Sequence, residues 1–328
     1  MNKRRKMIFS LGAAVLAAPL AAFAQQQAKV FRIAYISPSR PGTVAINLSA
    51  FRDGMREHGL LEGVRYILDE KYAEGNYDRF PALTAEALRS NPAIIMVQTI
   101  ASVRAAQQAT KSVPIVFVST NDPVGSGLVA SLARPGGNTT GLSTQNEDTV
   151  SKYVGLLREL LPRAKHVAAL VNASNPSGAK MFERVRTLAS GVGISAKAFT
   201  VTSPESYDAA FRSIAQYRPD ALMIMPDASI TDQYHRISPF ALKNRILTIA
   251  NSSGFVTSGG LISYGAYTPD LYRRAATHVK KILAGAKAGD LPIEQPTKFE
   301  LVINMKTAKL LGLKIPKSIL VQADKVIE

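Results

Sequence analysis

Ile115-Val116-Phe117-Val118-Ser119-Thr120-Asn121-Asp122 is the stretch whose reading decides the fold. Apolar residues run without alternation and then give way abruptly to hydrogen-bonding ones. A strand with one wet face would alternate, so a run that is apolar on both faces belongs inside a parallel sheet covered by helices on either side. Further strands are predicted at residues 31–37, 93–99, 166–172, 196–201, 221–225, 246–250 and 261–265, with helical period between them. Val150, Tyr153, Val154, Leu157, Leu160 and Leu161 make one such apolar stripe, stopped by Pro162. Tyr207, Ala210, Phe211, Ile214 and Tyr217 make another, opened by Ser203-Pro204-Glu205. Strand–helix alternation of this kind predicts an α/β fold with parallel sheets in Rossmann-like units.

The alternation falls into two blocks. Residues 29–142 hold about four strand–helix units, and 148–250 hold about four more. Irregular stretches follow at 134–138, at 251–260 and at 295–297, before an extended run at 298–303. Three breaks exceed what one linker needs and suit a chain that passes three times between two lobes. The predicted division is 25–142 plus 252–298 for one lobe and 143–251 plus 299–328 for the other. Joints are expected near Ser143, Gly254 and Phe299.

The N-terminus reads as an export signal. Lys3, Arg4, Arg5 and Lys6 precede an apolar run over 8–20, and Ala22-Phe23-Ala24 offers a small-x-small cleavage site. Cleavage after Ala24 would remove four of the 40 Lys and Arg and none of the 24 acids, leaving a net charge of +12. The basic residues are scattered, Trp is absent and no nucleic-acid motif is present, so nucleic acid is not an expected partner. The sequence contains no cysteine, which excludes disulfides, zinc–thiolate sites, thiol nucleophiles and a lipid anchor on cysteine. No later stretch reaches the ~20 apolar residues of a membrane helix, so the protein is not expected to be membrane-embedded. An exported, unanchored monomer in the periplasm is the expectation.

Signatures of covalent chemistry are missing. The sequence has no G-x-S-x-G, no Walker A loop and no H-E-x-x-H, and His58, His166, His235 and His278 lack ligand spacing. No catalytic residue, metal or cofactor is therefore expected. Gly125-Ser126-Gly127-Leu128-Val129-Ala130 matches G-x-G-x-x-A but follows the wrong strand for dinucleotide binding, so it reads as a tight turn opening a packed helix.

In parallel sheets ligands sit beyond the carboxyl ends of the strands. The residues there are Ser37, Gln98, Thr99, Ser119, Thr120 and Asn121 in the first block, and Asn172, Asn175, Asp227 and Asn251 in the second. The Ser, Thr, Asn and Asp among them are common helix caps. As a set around one cleft they supply the hydrogen-bonding groups of a solute pocket. The helix after Thr99 has no acid in its first turn and is open to a carboxylate, while Asp227 across the cleft suits an ammonium group.

Several segments carry a family likeness. They are Phe31-Arg32-Ile33-Ala34-Tyr35, Tyr72-Ala73-Glu74-Gly75, the run 114–129, Ser131-Leu132-Ala133-Arg134-Pro135-Gly136-Gly137-Asn138, and the run 296–304. The chain resembles ABC-transporter substrate-binding proteins of the subgroup related to tryptophan-type binding proteins. The resemblance implies a type I periplasmic-binding fold with two lobes, three crossovers and closure on ligand. It also implies delivery of the ligand to an inner-membrane ABC permease. An exported enzyme, or a ligand-sensing subunit, would use the same cleft and is the alternative. The export reading is checked by mass spectrometry of the extracted protein, which should show a chain beginning at Gln25. A retained Met1 or Asn2 would refute it.

Overall fold

The computed structural model describes residues 30–328, so the export segment expected at 1–24 lies outside the described residues. The first lobe winds β1 (Phe31–Ser37), α1 (Ala45–Glu57), β2 (Tyr66–Tyr72), α2 (Phe80–Arg89), β3 (Ile94–Val97), α3 (Ile100–Ala109), β4 (Ile115–Asn121) and β5 (Thr139–Thr144). Its sheet has the order β2-β1-β3-β4-β5, with every neighbouring pair parallel. The chain then enters the second lobe through α4 (Asn146–Leu160), β6 (His166–Asn172), α5 (Pro176–Ser190), β7 (Ser195–Val201), α6 (Tyr207–Tyr217) and β8 (Ala221–Ile224). It continues with α7 (Ala228–Thr231), α8 (Tyr234–Lys243), β9 (Leu247–Ala250), α9 (Ser253–Thr257) and β10 (Ile262–Ala266). Next, α10 (Thr268–Leu283) returns to the first lobe. The chain finishes on the second with β11 (Phe299–Asn304), α11 (Met305–Leu311), α12 (Lys317–Gln322) and β12 (Lys325–Ile327). The second sheet runs β12-β11-β10-β9-β8-β6-β7 and is parallel except for the antiparallel pair β10–β11.

Each sheet is buried on both faces, as its unbroken apolar strands require. Leu48, Phe51 and Met55 of α1 and Leu271, Tyr272 and Ala275 of α10 cover one face of the first sheet, with Phe80, Val103 and Ala106 beneath the other. On the second, Tyr153, Leu157, Met181 and Val185 lie on one side and Tyr207, Ile214, Tyr234 and Ile237 on the other. Contact of α1 with α10 depends on Gly54, where a Cβ would stand 2.3 Å from the Arg273 carbonyl oxygen. Only glycine lets the two helices approach so closely.

Three expectations change. The second crossover is not near Gly254: β10 belongs to the second sheet, α9 packs beside it, and the chain crosses at Tyr267, so residues 252–266 leave the lobe assigned to them. The reason is β10, whose short apolar run completes the second sheet between β9 and β11. No helix opens at Gly125. Asp122 takes a left-handed φ of 41° and its carboxylate accepts the Gly125 N–H at 2.8 Å, which winds 122–133 into turns. Strands β2, β5 and β12 were not anticipated. β2 is an edge strand carrying charges, and β5 is polar in sequence yet buried throughout.

The three crossovers are bound together. Ser143 N–H donates to Glu294 O at 2.9 Å, and Tyr267 N–H donates to Lys298 O at 3.0 Å. Away from them the lobes meet at a rim. There the Arg40 N–H donates to Asp232 Oδ2 at 2.8 Å and Ser39 Oγ to Ala228 O at 3.1 Å. Asp232 is only 8% exposed, and its Oδ1 is buried without a partner. Burial raises its pKa above the ordinary carboxylate value, against the opposing pull of bonds from Thr43 and the Arg40 backbone and of the Arg40 charge. The folded protein therefore holds this proton more tightly than the unfolded chain, so its contribution to stability grows as pH falls through the raised value and is lost above it. Asp232→Asn should match or exceed the parent in melting temperature at pH 7, and the gap should close as pH falls toward 4. Thermal melts across that range check it; a difference independent of pH would show that the buried charge is not what Asp232 contributes.

Candidate functional site

A cavity of about 470 Å³ lies where the carboxyl edges of the two sheets face each other. Of the residues expected there, Gln98, Thr99, Ser119, Asn121, Asn175, Asp227 and Asn251 line it. Ser37, Thr120 and Asn172 do not. Ser37 Oγ accepts the Ser39 N–H at 3.2 Å and shapes the loop behind the wall. Thr120 Oγ1 donates to the Gln98 carbonyl at 2.6 Å. Asn172 stands behind Asp227 and donates to its Oδ1 at 3.1 Å.

The first-lobe wall is rich in donors. Thr99 caps α3 in a reciprocal box with Ser102, in which the Ser102 N–H reaches Thr99 Oγ1 at 3.2 Å and the Thr99 N–H reaches Ser102 Oγ at 3.0 Å. The N–H groups of Ile100 and Ala101 then have no acceptor within the helix, and its first turn carries no acid. Asn121, 8% exposed, is held by its Oδ1, which accepts the Asn146 N–H at 3.2 Å across the first crossover. Its Nδ2 is buried and unpartnered. Beside it Ser119 takes a left-handed φ of 64° where β4 shifts register against β5. Such a conformation costs a non-glycine residue about 1–3 kcal/mol and tends to mark a functional wall. Below, Gln98 donates to the Tyr35 hydroxyl, which shares a 2.9 Å hydrogen bond with Tyr272 of α10. Burial pushes the Tyr35 phenol well above its ordinary range, so it stays protonated.

The second-lobe wall centres on Asp227, 9% exposed. Its Oδ1 accepts from Ser229 N–H (2.9 Å), Ser229 Oγ (2.5 Å), Ile230 N–H (3.2 Å) and Asn172 Nδ2 (3.1 Å). Its Oδ2 accepts from Asn175 Nδ2 (2.7 Å) and, across the cleft, from the Tyr77 hydroxyl (2.9 Å). Asp227 therefore caps α7 as well as facing the cavity. All six donors are neutral and no ion pair to Asp227 is present among the described residues, so a charge remains on this wall. Gly265 of β10 also lines the cavity, and a Cβ there would lie 2.0 Å from the Asn251 carbonyl oxygen.

Other lining residues escaped the sequence reading. Ser39 and Thr43 sit beyond β1, Asn146 beyond β5, and Tyr267 and Thr268 beyond β10. The rule that finds residues past strand ends would have reached Asn146 had β5 been recognised. Glu300 had no such signal: the antiparallel course of β11 brings its N-terminal end, not its carboxyl end, to the cleft.

Comparison with known proteins bears on the family and the fold. The tyrosine-binding protein of Clostridioides difficile (strain R20291) is 26% identical over 264 residues, 80% of this chain and 76% of that protein. A crystal structure of a conserved domain protein from Vibrio cholerae superposes with a TM-score of 0.84 at 26% identity, covering 91% of this chain and all of that one. An ABC domain from Streptococcus pneumonia in complex with L-Trp gives the same TM-score of 0.84 at 24% identity, covering 91% of this chain and 100% of that one, and so shows the fold. Residues 38–327 match the family described as ABC transporter substrate binding protein. With two Rossmann-like lobes, a cavity between them and a family match over nearly the whole described chain, this protein belongs to the ABC transporter substrate-binding proteins, with the type I fold.

Proposed function

We propose that the protein captures a small amino-acid-like molecule between its lobes, in the periplasm, and delivers it to an inner-membrane ABC permease without altering it covalently. One observation carries this reading. Asn121, whose buried Nδ2 has no partner, and the acid-free first turn of α3 lie on one wall of the cavity, and Asp227, which has no ion pair among the described residues, lies on the other. On the first lobe the Ile100 and Ala101 N–H groups and Asn121 Nδ2 would receive a carboxylate, helped by the positive end of α3. On the second, Asp227 would receive an ammonium group. Closure brings both halves to the ligand, since neither wall alone removes it from water. The tyrosine-binding relative and the structural neighbour holding L-Trp support an amino-acid class of ligand. Ser37, Thr120 and Asn172 take supporting places behind the lining residues in this reading.

The test is titration calorimetry of the parent and Asp227→Asn against a panel of amino acids, simple carboxylates and neutral sugars. An amine-bearing ligand should lose more than tenfold in affinity in the variant, because a desolvated, hydrogen-bonded charge pair is worth roughly 2–5 kcal/mol. Asn121→Ala should weaken amino acids and simple carboxylates alike. Unchanged affinity of Asp227→Asn for an amine would remove Asp227 from the site, and binding of sugars alone would overturn the assignment.

A further inference from the structure

Lobes that swing about three neighbouring crossovers close most firmly when held at the rim farthest from them. In the first sheet the crossover strand β5 lies at one edge and β2 at the other. Tyr77 follows β2, and Ser39 and Arg40 follow β1 next to it. All three reach one short segment of the opposite lobe: Tyr77 the carboxylate of Asp227, Ser39 the Ala228 carbonyl and Arg40 the carboxylate of Asp232.

Tyr77 differs from the other two in what it touches. Of the six hydrogen bonds that Asp227 accepts, five come from Asn172, Asn175, Ser229 and Ile230 on its own lobe and need no contact between the lobes. Only the Tyr77 bond crosses. The tyrosine ring is built into the first-lobe core, 8% exposed and packed on Phe80 at a centroid distance of 5.1 Å, so its hydroxyl is delivered as part of a rigid body. Asn172 and Asn175 hold the carboxylate equally firmly from behind.

We propose that Tyr77 is a positioning residue that clasps Asp227 across the rim and holds the lobes closed, in the absence as well as the presence of a ligand. Burial and the Asp227 charge push the Tyr77 phenol well above its ordinary range, so it remains a donor. That the clasped carboxylate also meets the ligand rests on the function proposed above; the clasp itself does not. If both hold, one group reads the ligand and the closure together, and a cation bound beside Asp227 is sealed in by the same tyrosine.

The sequence has no cysteine, so two can be introduced for labelling without background. Ser112, in the turn before β4, and Ser190, the last residue of α5 before β7, are exposed on the first and second lobes, on the side where those strands begin, away from the cleft. Spin labels on Ser112→Cys and Ser190→Cys report the lobe separation by pulsed electron resonance in extensively dialysed protein with no solute added. The parent should show a closed component. Tyr77→Phe keeps the ring and removes one cross-lobe hydrogen bond, and should lower the closed-to-open ratio on the order of fivefold. Asp227→Asn should lower it as well, and the double variant by less than the product of the two, because they share one bond. Ser39→Ala, which removes a different bond, should multiply with Tyr77→Phe. A parent without a closed component, a Tyr77→Phe distribution like the parent's, or fully independent effects of Tyr77→Phe and Asp227→Asn would each overturn the clasp. None of these outcomes depends on which solute the cavity accepts.

Discussion

A strand in a parallel sheet with helices on both faces shows water only its ends. Of those ends, the carboxyl edge is where the turns into helices expose backbone N–H groups and short polar side chains. The arrangement of this molecule follows from that constraint. Two such sheets stand with their carboxyl edges toward each other, and the cavity is the space between the edges. The antiparallel step from β10 to β11 is the exception, and it has a consequence: it returns the chain to the cleft, so that two of the three crossovers lie side by side at Tyr267 and Lys298.

The crossovers and the site are not separate regions. Asn121 lines the cavity while its side-chain oxygen holds the Asn146 N–H just past the first crossover. Glu294 pairs with Ser143 on the same side and is held by Arg274 of α10, whose helix supplies Tyr272 to the cavity wall. A rotation of the lobes would therefore move the groups proposed to meet the ligand. Rigid halves joined through such residues couple occupancy to closure by contact alone, because closely packed lobes rearrange between discrete states instead of deforming gradually.

Asp227 shows how one side chain serves several ends. An isolated carboxylate with so little exposure would be costly, and six neutral donors offset that cost without cancelling the charge. The same bonds start α7 and, through Tyr77, tie the lobes at the rim. Capping a helix and lining the cavity, which compete as readings of Asp, Asn and Thr in a sequence, coexist at Thr99, Asn175 and Asp227.

The α/β class, the two-lobed plan and most strands could be read from residues such as Ile115 to Val118, because burial on both faces leaves a local mark of unbroken apolarity. Strands without that mark stayed hidden: Thr139 to Thr144 is polar in sequence and buried by its neighbours, and Tyr66 to Tyr72 is an edge with one side open to charges. The same limit governs the site. Gln98, Thr99, Ser119, Asn121, Asn175, Asp227 and Asn251 follow apolar strands directly, so position along the chain was enough to bring them to the cavity. Which of the neighbours Ser37, Thr120 and Asn172 turn behind the wall depends on hydrogen bonds to Ser39, Gln98 and Asp227, which no local pattern encodes. The crossing at Tyr267, the place of Glu300 and the meeting of Tyr77 with Asp227, 150 positions later in the chain, were decided only by tertiary structure. Periodicity records which faces of an element are buried, whereas contact between lobes is set by how whole elements stack, and that information is spread over the entire chain.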